Sequence, residues 1–226
     1  MHKQIKNKKG FSLVEMVLAI AIIVLISGVV AGICASISNS FITTYNIDDS
    51  SDYAMLYARG FENSFLAYSQ AKNGVSGDTY KWTIADAKGN AGTVPTLTVT
   101  TGSGPQPVFT PQFLGSSDTT KKSKWAVSMF YKYDSSTACV MYRVFIKDNY
   151  DTGVITRYDG SFWIPRFEQC AEYAGVGEDR VIEVSGGHKL NSTTMETIYG
   201  YSQSDLDQLV NAWDETYTDE IKFTWG

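Results

Sequence analysis

Lys8-Lys9-Gly10-Phe11-Ser12-Leu13-Val14-Glu15 joins a short basic start to a long apolar run, and this junction decides the fold. Residues 1–10 hold Lys3, Lys6, Lys8 and Lys9 and no acid. From Phe11 to Ile37 the only charged residue is Glu15. The 22 residues Met16 to Ile37, at ~1.5 Å per residue, make a helix of ~33 Å, about one hydrocarbon core. The lysines favour the cytoplasmic side, which places everything after the span outside the membrane.

Three kinds of processing compete for this start. A cleaved secretory signal ends in a small-x-small site, but Ala19-Ile20-Ala21 lies inside the apolar run rather than beyond it. A lipoprotein signal needs a small residue before its cysteine, and Ile33 precedes Cys34. The third option is processing at Gly10, and it alone accounts for Glu15. An acidic residue at the centre of a membrane helix costs about 2.5–3.5 kcal/mol, less near an end, and normally has a partner. Cleavage after Gly10 frees the amine of Phe11, four residues before Glu15. Two subunits side by side would then pair one amine with the neighbour's carboxylate and set helices in register. The plainer alternative is a Glu15 that sits at the interface and snorkels.

Lys8-Lys9-Gly10-Phe11-Ser12-Leu13-Val14-Glu15 closely resembles the class III leader of type IV pilins and pseudopilins. The resemblance covers residues 6–38, with Ser12 and Val14 where Thr and Ile are commoner. It implies that a membrane prepilin peptidase cuts between Gly10 and Phe11 and N-methylates Phe11, and that Glu15 is the assembly carboxylate. It also implies other pilin subunits and the pilus assembly machinery as partners. The precursor is then a single-pass membrane protein with its head outside, later part of a surface filament. Many pilins carry a Pro partway along this helix; here the first Pro is Pro95, and Gly28 and Gly32 occupy the region. Two readings of these glycines stay open, a weak point in the helix and a close-packing face between helices.

Composition agrees with a folded body behind the span. The chain has 226 residues, 43% hydrophobic and 19% charged, which excludes a disordered chain. Aromatic residues make up 13% and suit pleated, half-buried strands. The net charge is -5, but without the four leading lysines 15 basic residues face 24 acids, a net of -9. Residues 168–226 alone carry -9, which argues against nucleic acid as a broad-surface partner.

Beyond the span, the polar stretch 38–52 is either helical or a break. From Tyr53 the spacing of Leu56, Tyr57, Phe61, Phe65 and Tyr68 predicts a helix, capped by Asp49 or Ser50 and stopped at Asn73-Gly74. The head reads β: strands over Thr79–Ala85 and Val94–Thr101, a loop from Gly102 to Pro111 with at most a short extended segment, a hairpin of Lys124–Tyr133 with Ala138–Lys147, and a third strand over Val154–Ile164. Short strands follow at Arg180–Val184 and Glu220–Trp225, and Ser202 to Trp213 reads as a helix with Leu206, Leu209, Val210 and Trp213 on one face. The expected fold is α+β and pilin-like, a long N-terminal helix on a mainly antiparallel β head. Its parts are a leader (1–10), a transmembrane and assembly helix (11–37), a helix extension (38–74) and a head (75–226). The length, long for a major pilin, points to a minor or accessory subunit.

Other candidate sites are weaker. Cys139 and Cys170 are a candidate disulfide resembling the one many pilins carry, against two separate thiols. His188 is the one histidine after the leader and reads as a loop residue; no metal, cofactor or catalytic constellation is expected. Asp148-Asn149-Tyr150-Asp151-Thr152-Gly153 reads as a turn rather than a calcium loop. Lys121-Lys122-Ser123-Lys124 reads as a solvated loop, with DNA contact as the alternative. Asn191-Ser192-Thr193 fits a glycosylation pattern. A surface adhesin on a pilin leader is the second functional reading, with Trp82, Trp125 and Trp163 as sugar-stacking candidates and core packing as their plainer role. An exported enzyme on a signal anchor is the third, and it gives no reason for Glu15.

Overall fold

The computed structural model describes residues 12–69, 77–111, 120–150, 155–164, 180–189, 193, 195–210 and 216–225. The chain divides into two compact units, Met1–Asn46 and Ile47–Gly226. Helix α1 runs unbroken from Leu13 to Ser69, so the polar stretch 38–52 is helical. Two of its hydroxyls bond back to the helix: Ser40 Oγ donates to the Ser36 carbonyl and Thr43 Oγ1 to that of Asn39, each at 3.0 Å. Asp49 and Ser50 therefore do not cap a second helix. Asp49 instead meets the Lys124 ammonium at 3.8 Å, and Ser50 is buried against Thr156. The stop expected at Asn73-Gly74 lies outside the described residues.

In the second unit the buried stripe of α1 is Ser50, Ala54, Tyr57, Ala58, Phe61, Phe65 and Ser69. These positions recur every three or four residues and fall on one face. The small residues among them let the aromatic rings reach the sheets, while Leu56 stays 46% exposed. At Gly60 an added Cβ would lie 3.2 Å from Phe109 Cβ and 3.4 Å from Leu97 Cδ2, so the helix backbone itself approaches the strands. Tyr57 Oη donates to the Pro95 carbonyl at 2.6 Å, and Trp82 Nε1 donates to Ser64 Oγ at 2.8 Å.

All strand pairs are antiparallel. Strands β1 (Thr79–Ala85), β2 (Thr96–Thr101), β3 (Gly104–Phe109), β7 (Arg180–Ser185) and β10 (Glu220–Trp225) form one sheet in the order β3-β2-β1-β10-β7. Strands β4 (Trp125–Asp134), β5 (Cys139–Asp148) and β6 (Ile155–Trp163) form a second, in chain order. β8 (His188–Lys189) and β9 (Thr216–Tyr217) make a short ribbon. The expected loop at 102–111 is thus corrected: most of it is β3. An edge strand tolerates Pro105 and Pro107 because only one of its sides needs donors. His188 likewise sits in a strand, paired with Tyr217, and not in a loop.

The three-stranded sheet carries apolar residues on both faces. Val127, Tyr131, Val140, Tyr142, Val144 and Ile146 join α1 in the main core, together with Trp82, Leu97, Ile221 and Phe223 of the larger sheet. Phe130 and Phe145, of opposite parity, meet Met195, Tyr201, Leu206, Leu209 and Tyr217. Met195 comes from a π-helical turn (Met195–Tyr199), Leu206 and Leu209 from helix α2 (Gln203–Val210), Tyr217 from β9, and Tyr201 from the link between the turn and α2. The predicted helix end at Trp213 lies outside the described residues.

Helix α2 is pinned by a buried polar group. Asp205 Oδ2 accepts from the Ser202 backbone N–H at 2.6 Å and from the Lys147 ammonium at 2.5 Å. Ser202 Oγ accepts from the Asp205 N–H at 3.4 Å, which closes a reciprocal capping box. Burial opposes the charge on Asp205, but Lys147 and the donors of Ser202 outweigh it and hold the carboxyl below its ordinary value. Its stabilising contribution is present above the unfolded value of about 3.9 and is lost as pH falls through the lower folded value. Asp205→Asn is expected to cost about 2 kcal/mol at pH 7 and to flatten the loss of stability in acid. Thermal melts between about pH 2 and pH 7 check both; an unchanged acid limb contradicts the assignment.

Candidate functional site

The first turn of α1 is built by Ser12 and Glu15. Ser12 is the N-cap: its carbonyl accepts the first helical bond, from Met16 N–H at 3.1 Å. Ser12 Oγ accepts from the Glu15 N–H at 3.2 Å, and Glu15 Oε2 accepts from the Ser12 N–H at 2.8 Å. This is a second capping box, Ser-x-x-Glu, in which each side chain satisfies the other's backbone donor. The spacing is readable in the sequence as a helix start; reading Glu15 as a partner for a neighbouring amine or as a snorkelling carboxylate passed over Ser12. The carboxylate also lies at the positive end of the helix dipole.

From this turn to Ile37 the helix is apolar on every side. The fifteen large apolar side chains from Leu13 to Ile37 are 47–82% exposed. Among the described residues α1 is the one helix long and apolar enough to cross a membrane. Removing those side chains from water is worth on the order of 20 kcal/mol or more, far above the few kcal/mol of one carboxylate near the end. Glu15 therefore does not prevent insertion.

Gly10 and Phe11 precede this turn and lie outside the described residues. Cleavage between them would leave the Ser12 N–H an amide, so the capping box survives it.

Residues 5–31 match the family model of the prokaryotic N-terminal methylation motif. The chain carries the prepilin cleavage motif. The motif spans Lys6, Lys8 and Lys9, the Gly10-Phe11 junction, the capping box and most of the apolar run. No curated protein and no solved structure matches the chain. Within the motif segment, a Cβ added at Gly28 or Gly32 would meet nothing within 4 Å, and the helix runs through both positions.

Among the described residues the head does not gather the remaining candidates into one place. Cys34 is exposed on α1 and Cys139 is half-buried at the start of β5; Cys170 lies outside the described residues. Asp148 Oδ1 accepts from the Tyr150 N–H at 2.8 Å, and the Asn149 amide donates to the carbonyls of Lys88 and Ser123 at 2.9 and 2.8 Å. These two side chains hold a turn and its neighbouring loops together. Asp151 to Gly153, Asn191 and Ser192 lie outside the described residues. Lys124 is spent on Asp49 and on the Trp125 ring, whose centroid is 4.4 Å from its ammonium. Of the sugar-stacking candidates, Trp82 and Trp125 are core residues, each 2% exposed, whereas Trp163 is 67% exposed.

Removing the cap alone is a mild change. Ser12→Ala is expected to cost the first turn about 1 kcal/mol and to leave membrane insertion intact. Amide exchange at residues 13–16 in micelles reads this, as faster exchange confined to the first turn. Faster exchange along the whole span would contradict the local role.

Proposed function

We propose that this chain is a structural subunit, minor or accessory, of a type IV pilus or related pseudopilus. Prepilin peptidase cuts it between Gly10 and Phe11 and methylates Phe11. The helix from Phe11 then holds the precursor in the membrane with its head outside, and assembly packs this helix against those of other subunits. The observation that carries the reading is a single carboxylate, Glu15, at the start of an apolar helix within the methylation motif. The Phe11 amine freed by cleavage on one subunit neutralises Glu15 on the next, which removes the cost of a charge in hydrocarbon only when subunits associate. The work of the protein is packing and force transmission.

The deciding experiment is the intact mass and first residue of the protein from its native host. A start at Phe11 with one added methyl group supports the proposal. A start at Met1, or beyond the apolar run, overturns it. The same spectrum tests a Cys139–Cys170 bond, as a mass lower by two hydrogens that returns on reduction.

A further inference from the structure

The uncharged part of α1 is longer than a membrane span needs. Between Glu15 and Asp48 the sequence holds 32 residues, Met16 to Ile47, without one charge. At ~1.5 Å per residue they make ~48 Å of helix, against ~30 Å for the hydrocarbon core and ~40–45 Å for a bilayer with its headgroup layers. The core takes Met16 to Ile37. The stretch from Ser38 to Ile47, helical throughout, is left to the outer headgroup layer and the water just above it.

The helix changes character at this level. Below it, apolar residues lie on every side. Above it, the helical period puts Ile37, Phe41, Tyr45 and Ile42 within one arc, interrupted by Ser38, while Asn39, Thr43 and Asn46 lie opposite. Phe41, Ile42 and Tyr45 are 71%, 55% and 64% exposed. Helical side chains tilt towards the helix N-terminus, which is the membrane side, so these three lean back onto the bilayer. The polar side also tolerates a site poor in water, because Ser40 and Thr43 return their hydroxyls to the carbonyls of Ser36 and Asn39. A shallow groove of about 250 Å³ beside Phe41 is lined by Ser36, Ile37, Ser40, Phe41 and Thr44. One of its walls is apolar and the other carries hydroxyls.

We infer that Phe41, Ile42 and Tyr45 form an interfacial anchor, seated in the glycerol and headgroup layer of the outer leaflet, with phospholipid as its partner. Aromatic and aliphatic side chains on one helix face settle at that boundary, and a tyrosine keeps its hydroxyl towards water. The groove fits the glycerol level, where lipid ester oxygens meet the first methylenes and a serine or threonine hydroxyl can donate to an ester. Continuity identifies the occupant. The apolar arc begins at Ile37, the last residue of the span, and ends before Asp48, Asp49 and Asp52, whose charges belong in water. The anchor sets the depth of the helix from its outer end, whether or not the basic leader is still attached. The inference goes beyond the filament reading and needs only the membrane span.

The test uses the full chain in phosphatidylcholine nanodiscs that hold one copy each. Two paramagnetic probes are read at the backbone amides by NMR: a gadolinium chelate confined to water, and a nitroxide on the lipid headgroup. The chelate is expected to spare the amides from the span through Ile42 and to broaden those from Asp48 onward. The headgroup nitroxide is expected to act most strongly between Ser38 and Tyr45. Phe41→Ser combined with Ile42→Ser is expected to move the protected edge back towards Ile37 by about one helical turn, ~5.4 Å, with the amides of the head unchanged. A wild-type edge already at Ile37 overturns the inference, as does an edge that the double variant leaves in place. Protection of residues 38–45 that appears only in discs holding two copies assigns the face to a second copy and overturns it as well. A chain found to start at Met1 overturns the filament reading but leaves this result standing, so the two fail separately.

Discussion

Glu15→Gln is expected to abolish filament incorporation as completely as Glu15→Ala, with membrane insertion and cleavage unchanged. The pair of substitutions separates the cap that the structure shows from the charge pairing proposed for the same side chain. Glu15 completes the capping box with Ser12, and in the proposed filament its charge pairs with a neighbour's amine. Glutamine keeps the box, because its carbonyl oxygen can accept from the Ser12 N–H, but it carries no charge. Alanine loses both. Losing the cap costs about 1 kcal/mol, less than tenfold in an equilibrium. Breaking a desolvated ion pair costs about 3–5 kcal/mol, a few hundred-fold or more at each contact. The charge should therefore dominate, and Ser12→Ala should assemble nearly normally. Sheared filament fractions probed for the subunit would show this. Normal incorporation of Glu15→Gln sinks the ion-pair mechanism; if Glu15→Ala and Ser12→Ala then both fail, the cap is what assembly needs.

Most of this site was open to reading because its signals are local. A basic start, the Gly10-Phe11 junction, an isolated Glu15 and a run without charge occupy adjacent positions, and the Ser12-x-x-Glu15 spacing marks a helix start without any tertiary information. The long strands were legible for the same reason. Glu220–Trp225 and the Trp125–Asp134 hairpin partner alternate over enough residues to show their period. β3 was not, because Pro105 and Pro107 argue against a strand unless its edge position is known, and sheet order is not written locally. Nothing in the sequence says that β10 lies beside β1. Two-residue strands such as β8 and β9 are too short to have a period. Aromatic pairs were ambiguous for another reason: Phe162 and Trp163 are adjacent, so alternation puts one in and one out but does not say which. Register with β5 decides it, with Phe162 against Val140 in the core and Trp163 outside. The polar stretch 38–52 stayed ambiguous because serine and threonine favour breaks unless their hydroxyls bond back to the helix, as Ser40 and Thr43 do.

Phe61→Ala should be the most damaging single truncation of the head. The ring is fully buried and stands where α1 meets both sheets. Its centroid lies 5.6 Å from Trp82 of the larger sheet, and 5.3, 5.5 and 5.9 Å from Tyr131, Tyr142 and Phe162 of the smaller one. Phe65 of the same helix is 5.8 Å away. Most of these contacts are edge-to-face or tilted, the geometry aromatic rings prefer. Five large rings cannot all shift to fill one vacancy, because each is held by its own strand or helix. The cavity should stay open and the cost should fall near the upper part of the about 3–5 kcal/mol seen for such truncations. Against a total stability of about 5–15 kcal/mol, that lowers the melting temperature by roughly 6–20 °C for a domain of this size. Leu56→Ala, on the exposed side of the same helix, should move stability by less than about 0.5 kcal/mol. Thermal melts of the full chain in detergent compare the two, and equal shifts would contradict the assigned packing face. The methylation motif covers residues 5–31 and does not include Phe61, so in the proposed pathway Phe61→Ala should still be cut and methylated. A loosened head on a correctly processed helix would show that the motif segment and the aromatic core are separate determinants in one chain.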